Sequence, residues 1–415
     1  MKQLLAISWE MPPLSGPRAV QVTRTLLALA QRGWHSRTIC FDARSQRYQQ
    51  DYMVSPEDLS GGAVRRLPVP SPEEWLFFRA LWRLVPPLKH LPDEKRVWMP
   101  SAIAEGRRAL GEQPVDVVVS FGQPWSDHLV GLALHRDSGV PWVAHFSDPW
   151  IDSPYQGGTR WTRHRAAAME REVVSTANRL VFVNRQTLER VMRKYPEEWK
   201  NRAHVVPQGH EGKTTTSAAP RRDGPLRIVY TGRFYEGVRT PELFLEAIAE
   251  LHRASPLQGR LEFELVGAHM EVYERLAGSL GVAAIVRFPG RMSPQHARHR
   301  ASEADALLII DAASTDGPSL FLPSKLIDYL PLKKPILAIT PLQGPVADVI
   351  AELGYVSVAP GDKAGMTTAV MSLVDAHERG ILAASASHDT VSRAFDIGET
   401  TAAFERVLDL ARHAG

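Results

Sequence analysis

One cysteine, Cys40, stands in 415 residues. A single thiol closes no disulfide within the chain and furnishes no cysteine metal cluster. That scarcity fits a reducing compartment, and the expectation is a cytoplasmic protein. The start, Met1-Lys2-Gln3, leads straight into a strand-like run, without the pattern of a secretory leader. No apolar run approaches the length that crosses a bilayer. Several motifs are also missing. Without GxGxxG there is no nicotinamide-dinucleotide fingerprint, and without GxxxxGK[ST] no P-loop. Without GxSxG there is no hydrolase elbow. His296 and His299 can share a helix face, but no HExxH or cysteine pair joins them, so no metal site is expected. The net charge of +3 is too mild to argue for nucleic acid.

What is present is ordinary for a globular chain, 44% hydrophobic and 23% charged. The length suffices for two domains. Leu4–Ile7 reads as a strand, followed by the Pro- and Gly-rich turn Trp9–Pro17. A helix is predicted from about Pro17 to Gln31, with Gly33 ending it, then a strand at Thr38–Phe41. This is a βαβ opening. Residues from about Arg44 to Pro100 read as irregular, proline-bearing and basic. Alternation resumes with strands at Val115–Ser120, Trp142–Phe146, Leu180–Val183 and Ala203–Val206, and helices between them. A second series has strands at Arg227–Thr231, Glu262–Val266, Ile285–Phe288, Ala306–Ile310, Ile336–Ile339 and Tyr355–Val358. The fold class is therefore α/β, with two doubly wound, Rossmann-like domains facing across a cleft. The expected divisions are a first domain over 1–208, a linker over 209–225, a second domain over 226–395, and a last helix over 396–415. That last helix, about Thr400–Ala411, has an apolar stripe able to pack back on the first domain.

The stretch Pro323–Pro335, PSKLIDYLPLKKP, lies between two buried-strand patterns. Pro323 suits the first turn of a helix. Leu326, Ile327 and Leu330 supply its core face, and Lys325 and Asp328, three apart, project on one side. A lysine in a first turn opposes the helix dipole unless an anion binds there. Lysine and free backbone N–H groups together suit a phosphate, and Asp328 one turn deeper suits a ribose. The plainer alternative is a solvated Lys–Asp pair. Ligands of such sheets bind beyond the carboxyl ends of the strands. There Arg233 follows the strand Arg227–Thr231, with Arg239 as a further cation. With Lys325 they would neutralise a departing diphosphate. His145 and Asp148 bracket the end of another strand and are candidates for acid, base or orienting roles beside an acceptor hydroxyl. A structural histidine and a turn-starting Asp-Pro are the alternatives. Gly16, at a helix start, could bring backbone close to an anion. Finally, Arg79, Arg83, Lys89, His90, Lys95 and Arg96 lie among Trp75, Phe77, Phe78, Trp82 and Trp98. Such a segment can lie on a membrane surface or pack as helices with snorkelling arginines.

Taken in order, several stretches resemble the family-4 type of glycosyltransferase with the GT-B fold, over nearly the whole chain. Pro12-Pro13-Leu14-Ser15-Gly16-Pro17 resembles that family's loop near the phosphates. Arg32-Gly33-Trp34-His35 resembles the segment after its first helix. Trp98–Ala102 and Ser147-Asp148-Pro149-Trp150 resemble a bacterial subgroup with W-x-P-x-A and RDPW. Gln208–Glu211, Tyr230–Tyr235 with Arg239, and Pro323–Pro335 are similar to further motifs of the same group. The departures are Leu320 and Asp328 where the family often carries two glutamates, and Ser147 in place of arginine.

The resemblance implies a metal-independent, cofactor-free glycosyltransferase with a nucleoside diphosphate sugar as donor and retention of configuration. Arg233 and Lys325 would meet the diphosphate, helped by backbone near Gly16 and Leu326, with Asp328 on the ribose. Backbone at Arg291 and Met292 would lie near the base, and His145 or Asp148 near the donor sugar and acceptor. The acceptor is open: a sugar, a lipid-linked sugar or a small molecule. A peripheral contact at the inner face of a membrane is permitted. A sugar-nucleotide epimerase and a non-catalytic sugar-nucleotide-binding protein are the alternatives on the same architecture.

Overall fold

The computed structural model describes residues 2–14, 16–43, 62–68, 76–84, 91–154, 157–212, 224–267, 270–312 and 318–413. The chain forms two compact units, one of Met1–Gly209 with Ile397–Gly415, the other of His210–Asp396.

The first unit is built on seven parallel strands: β1 (Lys2–Ile7), β2 (Trp34–Phe41), β3 (Gly62–Leu67), β4 (Val117–Gly122), β5 (Trp142–Phe146), β6 (Arg179–Phe182) and β7 (Ala203–Val205). Their order across the sheet is β3-β2-β1-β4-β5-β6-β7, so the winding reverses between β1 and β4. The helices are α1 (Pro17–Gln31), α2 (Leu76–Leu84), α3 (Met99–Glu112), α4 (Ser126–Ser138), α5 (Arg160–Thr176), α6 (Arg185–Met192) and α7 (Glu197–Lys200). Alternate side chains of each strand serve opposite faces. Leu5, Ile7 and Val118 join Ala102 of α3, Val130 of α4 and Val173 of α5. Leu4, Ala6, Val117, Val119 and Phe121 join Val22, Leu26 and Leu29 of α1.

The second unit has six parallel strands: β8 (Leu226–Thr231), β9 (Leu261–Val266), β10 (Val286–Gly290), β11 (Ala306–Ile310), β12 (Ile336–Ile339) and β13 (Ser357–Val358). Their order is β10-β9-β8-β11-β12-β13, with the reversal between β8 and β11. Its helices are α8 (Glu242–Ala254), α9 (Glu271–Ser279), α10 (Pro294–Ser302), α11 (Ser324–Tyr329), α12 (Pro345–Glu352), α13 (Lys363–Glu378) and α14 (His388–Ala394). Ile228, Tyr230, Leu308 and Ile310 face α8 and α13, while Val229, Leu307 and Ile309 face α11 and α12.

The last helix, α15 (Ile397–Arg412), belongs to the first unit. Its stripe of Phe404, Val407, Leu408 and Ala411 completes the core face covered by α1. Charge fastens it as well. Glu405 meets Lys2 at 3.2 Å and Arg32 at 2.7 Å, and Arg412 meets Asp116 at 2.9 Å.

The stretch 44–100, expected to be irregular, contains β3, α2 and the start of α3. The edge strand β3 escaped notice because its GAVRRL sequence alternates weakly and carries two arginines, which also discourage pairing on its open side. Much of the basic and aromatic segment lies outside the described residues, Trp75, Lys89 and His90 among them. So do Ser15 and residues 213–223 of the expected linker. Of α2, Leu76 and Leu84 are strongly exposed.

Phe404 is 1% exposed and packs on Phe121 and His145, with ring centroids 6.4 and 5.7 Å away. Phe404→Ala is expected to destabilise the first unit by about 3–5 kcal/mol, measured by denaturant unfolding.

Candidate active site

In the second unit the carboxyl ends of β8 and β11 flank the reversal of winding, where open parallel sheets bind ligands. Tyr230, the last residue but one of β8, has its ring in the core with Phe234 stacked on it, centroids 4.4 Å apart. Lys325, in the first turn of α11, lays its amine against this ring, 3.8 Å from the centroid, and donates to the Tyr230 hydroxyl at 2.5 Å. The hydroxyl in turn donates to the Arg233 carbonyl at 3.2 Å, which also accepts from Arg239 at 3.3 Å. Gly232 is required between them. Its φ of +128° disfavours any side chain, and a Cβ there would meet the Lys325 Nζ at 2.8 Å.

Among the described residues no carboxylate forms an ion pair with Lys325. Desolvation pushes its pKa well below the usual lysine value; nearby Arg239 pushes the same way, and Asp311 opposes them. Asp311 is buried after β11, where it accepts from Ala312 N–H, Ser319 and Thr340. Burial raises its pKa. Tyr329 of α11 ties back to β8, accepting from Thr231 N–H at 2.8 Å.

Arg233 is exposed at the end of β8, and Arg239 is half-buried with its guanidinium 5.3 Å from the Tyr235 ring centroid. Asp328 lies 3.7 Å from Arg298 of α10. Arg291 and Met292 follow β10, with Met292 packed against the core. Leu326 requires a correction. It is buried in the core, and its N–H already donates to the Pro323 carbonyl at 3.0 Å, so it is not an open phosphate donor. Gly16 needs one too. It caps α1, but a Cβ there would lie 2.4 Å from a Glu10 carboxylate oxygen, and Glu10 accepts from Ala19 N–H. The helix end is therefore already occupied by a carboxyl group, the chain's own.

His145 and Asp148 of the first unit sit at and just beyond the end of β5. Between them acts a residue that sequence reasoning missed, Arg18 of α1. It is buried and donates from Nη2 to His145 Nδ1 at 3.2 Å and to the His145 carbonyl at 3.1 Å. A guanidinium cannot accept, so the imidazole carries its proton on Nε2. Burial, and then the field of Arg18, hold His145 well below the usual histidine pKa. Asp148 accepts from Ser147 Oγ at 2.9 Å, and burial raises its pKa. Desolvation lowers the Arg18 pKa to about 10, and Asp148, Asp127 and Glu10 oppose that shift. The signal was there to read. Arg18, Val22, Leu26 and Leu29 share one helical stripe, and a cation on an apolar stripe needs an explanation. A cavity of about 20 Å³, enough for roughly one water, opens beside Arg18, His145, Gln208 and Thr401.

Behind this cluster His128 of α4 is fully buried. Trp142 donates to Ser120 Oγ at 2.9 Å, and Ser120 Oγ and His128 Nδ1 share a hydrogen bond of 2.8 Å. Burial pushes this imidazole down to about 3. The unfolded chain protonates it near 6.5, so stability is lost as pH falls below that value. Asp127, Asp93 and Glu10, whose pKa values burial raises, act in the opposite sense, gaining protons in the fold as pH falls. Comparison with His128→Gln isolates the histidine. Relative to that variant, the protein is expected to lose about 1.4 kcal/mol of unfolding free energy per pH unit between pH 6 and 4, read from denaturant midpoints.

Residues 18–209 match the family model described as "Glycosyl transferase 4-like domain". Solved structures similar to the chain include sucrose-phosphate synthase from Thermosynechococcus elongatus, with 14% identity, both chains covered fully and a TM-score of 0.72. WaaG, a glycosyltransferase involved in lipopolysaccharide biosynthesis, is 16% identical, with 98% of each chain covered and a TM-score of 0.62. The E. coli trehalose-6-phosphate structure bound with UDP-2-fluoro glucose is 12% identical, with 99% of each chain covered and a TM-score of 0.65. No curated protein sequence matches the chain at a significant level. The first half of the chain is thus a glycosyl transferase 4-like domain, and the chain is a glycosyltransferase with two parallel-sheet domains of the GT-B type.

Proposed function

We propose that this glycosyltransferase takes a nucleoside diphosphate sugar as donor and passes the sugar to an acceptor hydroxyl with retention of configuration and without a metal. The observation that carries this reading is the Lys325 amine, held on the Tyr230 ring beside Arg239 and the Arg233 loop. A cation held out of water without a carboxylate partner among the described residues favours an arriving anion. The UDP-2-fluoro glucose in the E. coli neighbour supports the choice of donor class.

In this reading the acceptor oxygen bonds to the anomeric carbon on the face that the diphosphate leaves. The bond from that carbon to the phosphate oxygen breaks, and the acceptor proton passes to that oxygen. Lys325, Arg233 and Arg239 neutralise the charge that develops there, the task a metal performs in other transferases. Asp328 binds the ribose, and the backbone at Arg291 and Met292 approaches the base. The first domain supplies the acceptor side, where His145 in its Nε2–H form donates to a sugar hydroxyl and Asp148 orients it. The chain would work in the cytoplasm. The basic and aromatic segment around α2 would bring it to a membrane surface bearing a lipid-linked acceptor.

Labelled UDP-, GDP- and ADP-sugars, incubated with and without candidate acceptors, test the reaction. Transfer supports it; epimerised donor, or tight binding with neither product, replaces it with one of the alternatives. Lys325→Met and Arg233→Met are each expected to lower kcat/KM by about a hundredfold or more. Unchanged donor affinity and turnover in Lys325→Met would refute the diphosphate assignment. Activity is expected to survive EDTA, and a loss restored by Mg²⁺ or Mn²⁺ would overturn the metal-free step.

A further inference from the structure

Nothing in the proposed chemistry needs a tyrosine, yet one phenol joins both halves of the cationic site. We propose that Tyr230 is a positioning residue that acts through Lys325, setting where the amine stands when a diphosphate binds. The inference rests on the diphosphate reading above.

Tyr230 cannot itself meet a ligand readily, because its side chain is fully buried. Its hydroxyl is engaged twice. It accepts from Lys325 and donates to the Arg233 carbonyl, which Arg239 also contacts. One oxygen thus links the lysine of α11 to the loop that carries the two arginines. The ring is fixed independently, stacked on Phe234 with an interplanar angle of 9°, and Phe234 is braced edge-on by Tyr273. A lysine side chain has four rotatable bonds and would otherwise sample many rotamers. Here its amine rests against a rigid ring, with Gly232 leaving the space it occupies. The other groups that act on the amine are Arg239 after β8 and Asp311 after β11. Neither is in ion-pair contact with it among the described residues, so the phenol is its one fixed partner there.

Tyr230→Phe tests this cleanly, because it keeps the stacked ring and removes only the hydroxyl. Thermal unfolding is expected to shift little, which controls for folding. Calorimetric titration with UDP, GDP and ADP is expected to give an affinity about tenfold or more below the wild type for whichever binds, as for loss of a charged hydrogen bond. The free nucleosides are expected to be unaffected. In a Lys325→Met background the same change should do nothing, since Tyr230 acts through the amine. Additive losses in the double variant, or undiminished diphosphate affinity in Tyr230→Phe, would overturn the proposal.

A second arm needs no ligand, and so separates this inference from the diphosphate reading. Competitive acetylation followed by mass spectrometry reports the reactivity of each lysine amine. In Tyr230→Phe, Lys325 is expected to become about threefold or more reactive, half a pKa unit in free-energy terms, while other lysines stay constant. Unchanged Lys325 reactivity sinks the positioning role whatever the nucleotides do. Altered reactivity with no diphosphate binding by the wild type sustains the positioning role and rejects the donor class instead.

Discussion

Charge withheld from water at the ends of parallel strands is the constraint on which both domains turn. Removing an ion from water costs several kcal/mol unless something replaces its hydration. The two domains answer that cost differently. Arg18 loses hydration by burial, and the acidic groups of Asp148, Asp127 and Glu10 partly offset that loss. Lys325 receives a phenol and the distant help of Asp311, with Arg239 opposing it. The first arrangement holds a neutral imidazole in one tautomer. The second leaves an amine with no ion-paired carboxylate among the described residues, the feature on which the proposed anion site rests.

The topology explains why these groups collect where they do. In each sheet the helices leave in opposite directions on either side of the reversal, between β1 and β4 and between β8 and β11. The loops there diverge and leave backbone and side chains uncovered. Arg18 enters from the helix after β1, and His145 from the end of β5. Arg233 and Arg239 follow β8, and Lys325 enters from the helix after β11. Short buried strands such as β11 carry apolar residues on both faces, so chemistry is confined to their ends.

Much of this was legible in the residues. Strand β11 and helix α1 have the bounds their periodicity gives, because a run such as Ala306–Ile310 admits no other buried element of that length. Lys325 stood out because a cation in a first turn conflicts with the helix dipole. What stayed hidden depends on partners distant in sequence. Tyr230 looks like any strand aromatic until Lys325, 95 residues on, is seen to donate to it. The edge strand β3 is similarly quiet, since its arginines find their partners in Pro12 and Glu105, distant in sequence.

The starts of α1 and α11 share a feature that separates the domains further. An N-terminal turn offers its amides to whatever acceptor is nearest. At α1 that acceptor is Glu10, brought back by the Pro-rich loop to accept from the Ala19 N–H beside Gly16. At α11 it is the Pro323 carbonyl, one turn back. Backbone amides therefore do less at either end than the helix dipole alone suggests, and the side-chain cations must do more. In the second domain the proposed recognition of an anion then falls on Lys325 and the arginines after β8. One tyrosine oxygen holds the lysine amine and bonds the backbone of the loop that carries the arginines.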